Sequence, residues 1–329
     1  MAHHPTLLLA DIGGTNARFT LFRDERLIME PVQWLAAAHK SLPDAMGTFV
    51  AEHLPAGLRL DGVAVCGAGP VKDGHIPLTN SPWTVDAGEI AAVTRVPDPV
   101  VVNDFTAMAM GAVKVGADHL DLIKGDCLDP TFPIGVLGPG TGLGVSGLIP
   151  DGRGGHIPLS GEGGHVDLAP TGERDMAVLF QLMQMHGHVS AETVLCGPGL
   201  ETLFLALAQL NGQPVVEQPA AVDITMRARG GRCPLSVEAV ALFTHWLGAV
   251  SGNLALTLGA RGGVVLTGGI LPKWGDLFDR ALFRQAFEAK GTFRAYNAPI
   301  PTALVTGGHP AMLGLAALWD QSQRGWTSA

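Results

Sequence analysis

Near the front of the chain an apolar run, LLLA at 7–10, climbs to Asp11, breaks at Gly13 and Gly14, passes Thr15, Asn16 and Arg18, and becomes apolar again in alternation. Short apolar or alternating runs predict strands near 6–11, 17–23 and 27–33. A helix is expected from Ser41 to Leu54, then a strand in LDGVAVCG (60–67) and the turn-rich GAGPVKDGHIPLTNSPW. A short helix should follow Asp86 as its cap, before the buried-looking strand PVVVND (99–104) and a helix in DFTAMAMGAV. The order β, β, β, α, β, α, β, α is that of a sheet opened by hairpins and covered later by helices, an α/β class.

A second unit begins at IGVLGPGTGLGVSGLIP, residues 134–150, with the outline of the opening stretch: apolar strand, glycine turn bearing a Thr, apolar strand. Helices are expected at about 172–186, 190–210 and 236–258, a strand in GGVVLTGG (262–269), a helix near 276–289, a strand in PTALVTG (301–307), and a last helix entered at Pro310. No low-complexity linker separates the halves. The division is expected near residue 110, giving a small domain of 1–109 to which about 308–329 returns, and a large one of 110–307.

Composition narrows the classes. With 329 residues, 47% of them hydrophobic, the chain can fill two packed cores. Thirty acidic against 21 basic residues, a net charge of −9 with no basic run, argue against nucleic acid. The longest helical candidate, Ser236 to Leu258, is interrupted by His245, Gly248, Gly252 and Asn253, and the run Leu7–Ala10 is too short for an export signal. A cytoplasmic protein with no membrane partner is the expectation. The four cysteines, Cys66, Cys127, Cys196 and Cys233, form no CxxC pair and read as buried thiols rather than a zinc or disulfide framework. His3 and His4 are left out of the chemistry.

Three phosphate-binding schemes use glycine. No Gly-Lys-Ser or Gly-Lys-Thr is present, which excludes a P-loop. GLGVSG at 142–147 has the letters of a dinucleotide fingerprint but continues as LIPDGRGG, which cannot be the required helix. The third scheme sets a glycine turn between antiparallel strands, so that backbone N–H groups converge on phosphate oxygens and Thr15 or Thr141 adds a hydroxyl. An acid beside phosphates then calls for a cation, and Asp11 would hold Mg²⁺ directly or through water. The competing reading makes 11–15 and 138–144 plain tight hairpins, with Asp11 capping its own turn.

ADIGGTNARFTLF, LTNSPW, VVNDFTAMAMG, GPGTGLGV, SGEGGHVDLAP, HVSAETVLCGPGLETL and LTGGILP, in that order, resemble the bacterial glucokinases of the hexokinase and actin-like superfamily, from about residue 7 to 318. The resemblance implies a two-domain actin-like/hexokinase (ribonuclease H-like) fold, with mixed sheets flanked by helices, closing on a sugar in the cleft between domains and using ATP with Mg²⁺. It implies phosphorylation of glucose at the 6-hydroxyl. Carried over by position, Asn103, Asp104, Glu162, His165 and Glu192 are the glucose ligands and Asp104 is the general base. Asp11, Gly13, Gly14, Thr15 and Asn16, with Gly138, Gly140 and Thr141, match the phosphate loops, and Gly268 and Gly269 the adenosine-side turn. The relatives suggest a homodimer. Two departures stand out: the CxCGxxGC zinc motif of a related group of sugar kinases and repressors is not matched, and His309 occupies a position where the family pattern has Asn.

The residue types suit that chemistry. Phosphoryl transfer has a loose transition state, so positioning and charge stabilisation dominate. Asp104, just after VVVN, lies where a side chain can project from a strand's C-terminal end, with a cap of the helix that follows as the competing reading. Asn103 offers amide donor and acceptor, Glu162 and Glu192 accept, and His165 can do either, a set fitted to vicinal hydroxyls. Glu162, His165 and Asp167 with His156 form a competing metal reading, and Glu192 a competing first-turn acid after a Ser190 cap. His119, His186, His188, His245 and His309 read as structural or exposed. Alternatives to a glucokinase are a kinase for fructose or mannose, a non-catalytic sugar sensor, and an assembling actin-like ATPase.

Overall fold

The computed structural model describes residues 4–78, 81, 83–213 and 217–325; Thr79, Asn80 and Pro82 of LTNSPW lie outside them, as does His3. In chain order the first segment carries β1 (Leu7–Ile12), β2 (Asn16–Arg23), β3 (Arg26–Leu27), β4 (Val32–Leu35), α1 (Leu42–His53), β5 (Gly62–Gly67), β6 (His75–Pro77), β7 (Thr84–Asp86), α2 (Ala87–Thr94), β8 (Val100–Asn103) and α3 (Asp104–Ala112). Then come β9 (Leu120–Lys124), β10 (Ile134–Pro139), β11 (Leu143–Pro150), β12 (His156–Leu159), α4 (Glu173–His186), α5 (Gly197–Leu210), α6 (Ala221–Arg229) and α7 (Pro234–Leu258). The chain ends with β13 (Gly263–Leu266), α8 (Leu271–Trp274), α9 (Arg280–Glu288), α10 (Arg294–Asn297), β14 (Thr302–Val305) and α11 (Pro310–Ser322). Two units result: Met1–Gly116 with Gly307–Ala329, and Ala117–Thr306.

The first unit is built on a sheet ordered β3-β2-β1-β5-β8, with β4 also on β2. β1 pairs antiparallel with β2 and parallel with β5, and β5 pairs parallel with β8. A strand covered on both faces is uniformly apolar, and β5 is buried at all six positions. Phe19 stacks on Phe49, centroids 5.5 Å apart, with Trp34 beside them at 5.4 Å from Phe19. Behind the sheet α3 and α11 touch backbone to backbone. A Cβ on Gly111 would fall on the Pro310 carbonyl, and one on Gly314 on the Ala107 carbonyl. This crossing ties the last helix to the helix that opens at Asp104.

The second unit repeats the plan: β12-β11-β10-β13-β14-β9, with a β10–β11 hairpin leading into parallel β13 and β14. The echo between 7–22 and 134–150 is therefore structural. Its core centres on α7, where Gly248 and Gly252 let the Phe283 and Phe287 carbonyls of α9 approach. Among the described residues α7 is the one helix long and apolar enough to cross a membrane, and 72% of its most apolar window is buried inside the protein.

Several expectations are corrected. The helix expected at 190–210 begins only at Gly197, because residues 190–196 form an isolated turn in which the Ser190 carbonyl accepts the Thr193 N–H at 3.1 Å. Glu192 is thus not in the first turn of a helix. The strand expected at 27–33 splits into β3 and β4, and the β6–β7 hairpin, β9 and α6 carry too weak a period to be read. Asn103, not Asp104, caps α3. Gly138 and Asn16 are strand residues rather than turn residues: Gly138 pairs with Gly144, and Asn16 with Leu35. Cys127 is exposed and Cys233 half-buried, so only Cys66 and Cys196 fit the buried-thiol reading.

Candidate active site

In the first unit the parallel register aligns Ile12 with Gly67 and Gly67 with Asn103, so the C-terminal ends of β1, β5 and β8 share one sheet edge. Open α/β sheets bind ligands at that edge. A cavity of about 370 Å³ opens there, lined by Asp11, Gly13, Gly14, Thr15, Asn16, Arg18 and Asp104, with Phe105, Met108 and Ala311 as its apolar part. The predicted phosphate turn and the predicted base therefore face one space.

Local hydrogen bonds decide what each group can offer. Asn103 Oδ1 accepts the Phe105 and Thr106 N–H groups at 2.8 and 3.2 Å, and its Nδ2 donates to the Gly69 carbonyl at 3.1 Å. Both lone pairs of Oδ1 are spent on the cap, which leaves one Nδ2 hydrogen for a ligand. Asp104 Oδ1 accepts the Phe105 N–H at 2.8 Å, which fixes its carboxylate at the helix start. The Gly13 N–H donates to the Asn16 carbonyl at 2.9 Å, so the turn's amides for an anion are those of Gly14 and Thr15.

Asp11 stands across the hairpin from Arg18, whose Nη1 donates to Oδ2 at 3.2 Å while its Nε donates to Gln33 at 3.1 Å. From β5, the Cys66 thiol donates to Asp11 Oδ1 at 3.6 Å. Burial, and then the Asp11 and Asp104 charges, push that thiol well up, so it remains a neutral donor. Arg18 and Cys66 were missed as site residues. The hairpin register that faces Arg18 to Asp11 was readable; the parallel partner of Asp11 was not.

In the second unit the turn Gly140–Thr141–Gly142 joins β10 to β11. The Gly140 N–H donates to the Gly142 carbonyl at 2.8 Å, and the Gly140 carbonyl accepts the Gly197 N–H at 2.9 Å. A Cβ on Gly140 would meet nothing closer than 4.0 Å, and one on Gly269 nothing within 4 Å. The fold does not need glycine at either position; close approach of a ligand would. Gly268 is different, with φ +88° and Pro139 O only 2.5 Å from any Cβ, so it is required to seat the β13 turn against the end of β10.

Beside this hairpin, Glu192 Oε2 accepts the Leu143 N–H at 2.7 Å, and the Glu192 N–H donates to the Gly164 carbonyl at 2.8 Å. His165 Nε2 lies 3.8 Å from Glu192 Oε1, and the His165 backbone N–H donates to the Glu162 carbonyl at 3.0 Å. Glu162 itself is exposed at the start of that turn. The structure thus brings His165 and Glu192 side by side, while Glu162 joins them only through its backbone carbonyl. His245 is absorbed elsewhere, with Nε2 at 2.6 Å from Thr171 Oγ1 and 3.2 Å from Asp175. No group of three or more His, Cys, Asp or Glu is arranged to hold a metal among the described residues, so the metal reading of Glu162, His165, Asp167 and His156 finds no support there.

The glucokinase family model matches residues 8–322. The chain belongs to the glucokinase family. A glucokinase of Paramagnetospirillum magneticum is 44% identical over 95% of this chain and 97% of its own length. A bifunctional protein of Burkholderia pseudomallei is 41% identical over 94% of this chain, which spans 48% of that longer protein. Among solved structures, a glucokinase from an Antarctic psychrotroph superposes with a TM-score of 0.88 at 33% identity, covering 97% of this chain and all of the other.

Proposed function

We infer that the protein is an ATP-dependent glucokinase that transfers the γ-phosphoryl group to the 6-hydroxyl of glucose. Family membership over nearly the whole chain supports the reaction. The observation that carries the residue assignment is the single cavity in which Asp104 and the Gly13–Asn16 turn meet. Asp104 takes the proton of the sugar hydroxyl as its oxygen attacks the γ-phosphorus, and the bond to the leaving ADP oxygen breaks. Its carboxylate is held for this by the Phe105 N–H.

Glu162, His165, Glu192 and the remaining Asn103 hydrogen are the proposed glucose contacts. The amides of Gly14, Thr15, Thr141 and Gly142 are the proposed phosphate donors, with Gly268 and Gly269 on the adenosine side. Mg²⁺ bound with the nucleotide would be held by Asp11. Asp11 fits it, because Mg²⁺ uses one or two carboxylates and keeps several waters, and Asp11 faces the cavity already oriented by Arg18 and Cys66. When bound, the ion offsets charge on the phosphates; the chain's own part is to orient the Asp11 carboxylate. A homodimeric, cytoplasmic state belongs to the same proposal, on likeness to relatives alone.

Coupled measurement of ADP release across glucose, mannose and fructose tests the function. Glucose should give the highest kcat/KM. Sugar-independent ADP release, or a preference for fructose or mannose, would replace the reading with an ATPase or another hexose kinase.

A further inference from the structure

The Glu192 carboxylate spans two structures that a simple sugar ligand would not join. Oε2 accepts the N–H of Leu143, the first residue after the Gly140–Gly142 turn, at 2.7 Å, while Oε1 faces His165 at 3.8 Å. Glycine is required on the Oε2 side of this contact. A Cβ on Gly142 would stand 2.5 Å from Oε2, and one on Gly164 would fall on the Leu143 carbonyl. The other flank of the turn is fixed by the Gly197 N–H on the Gly140 carbonyl. Glu192 therefore supplies the turn's second anchor, and the first anchor is main chain.

We propose that Glu192 is a positioning residue that couples the hexose site to the phosphate turn, bracing the Leu143 amide with one oxygen while the other meets the sugar. The inference rests on Glu192 being a hexose ligand. At 3.8 Å the contact with His165 is too long for a hydrogen bond, and both side chains reach solvent, so Oε1 holds the carboxylate only loosely. A sugar hydroxyl donating to Oε1 restricts its rotation, and Oε2 then stays on Leu143. Linkage makes the effect reciprocal: sugar tightens nucleotide binding, and nucleotide tightens sugar binding, by the same factor.

Hydrogen exchange at the Leu143 amide, followed in the unaltered full chain with and without glucose and with no nucleotide, tests this directly. Glucose should slow that exchange roughly fivefold or more, the low end of ordinary coupling. If calorimetry shows glucose bound and the Leu143 exchange does not change, the coupling is overturned and the glucokinase reading stands. If calorimetry shows no glucose binding, the reading beneath it fails as well. A second measurement uses ATP affinity without sugar, which a pure sugar contact would not alter. Glu192→Gln keeps an acceptor for Leu143 and should stay within about threefold of the parent, whereas Glu192→Ala should lose roughly tenfold or more. Equal ATP affinity in all three proteins overturns the proposal.

Discussion

In the β1–β2 hairpin the second pair outside the turn is Asp11 and Arg18; in β10–β11 the pair in that place is Gly138 and Gly144. The first connection closes through Gly13 and Asn16, the second through Gly140 and Gly142, one residue shorter. One hairpin thus brings a charged pair to its cavity, and the other brings bare backbone braced from outside by Glu192 and Gly197. The proposed roles divide along the same line, with charge and the proton at the first hairpin and backbone amides at the second.

Substitutions can break that contrast. The largest effect is expected at Gly111→Ala, since its Cβ would land on the Pro310 carbonyl and force α3 from α11. Overpacking against backbone should cost about 3 kcal/mol or more. Denaturant unfolding measures it, and a loss under 1 kcal/mol would mean the helices separate easily. Next is Gly140→Ala, whose Cβ has open space. Stability should change by less than about 1 kcal/mol, while kcat/KM for ATP falls roughly 10²-fold because the phosphate can no longer approach the turn. Unchanged kinetics would reduce this hairpin to plain structure.

Asp11→Asn should act differently again. Its ion pair with a half-exposed Arg18 contributes little, so stability should move by less than about 1 kcal/mol. The Mg²⁺ concentration for half-maximal rate should rise about tenfold, as expected when a divalent cation loses a charged oxygen partner. A Mg²⁺ profile identical to the parent's would leave Asp11 as a hairpin residue tied to Arg18.

Much of this was legible because hairpins and buried strands write themselves locally. Apolar LLLA and VVVN each became a strand at the expected place, and Asp86 caps α2 by accepting the Glu89 N–H at 2.8 Å. The turn at 190–196 was not legible, since SAETVL has a helical composition and distant backbone contacts engage its amides instead: the Ala191 N–H donates to the Val166 carbonyl at 2.9 Å, the Glu192 N–H to the Gly164 carbonyl at 2.8 Å, and the Leu168 N–H to the Val189 carbonyl at 3.1 Å. Nor could the sequence say that Gly13 and Gly140 have their own amides engaged within the turns. Those are properties of closed rings of hydrogen bonds, which residue types do not specify. His309 is clearer in retrospect: it sits at φ 51° at the start of α11, a left-handed position that suits Asn and that His also tolerates.

The central claim is that Asp104 removes the proton from the sugar hydroxyl, and Asp104→Asn tests it most directly, by ADP release alongside calorimetry of glucose binding. Turnover should fall about 10² to 10⁴-fold with glucose affinity held within a few-fold. Turnover within tenfold of the parent, in a variant that still binds glucose, would contradict it.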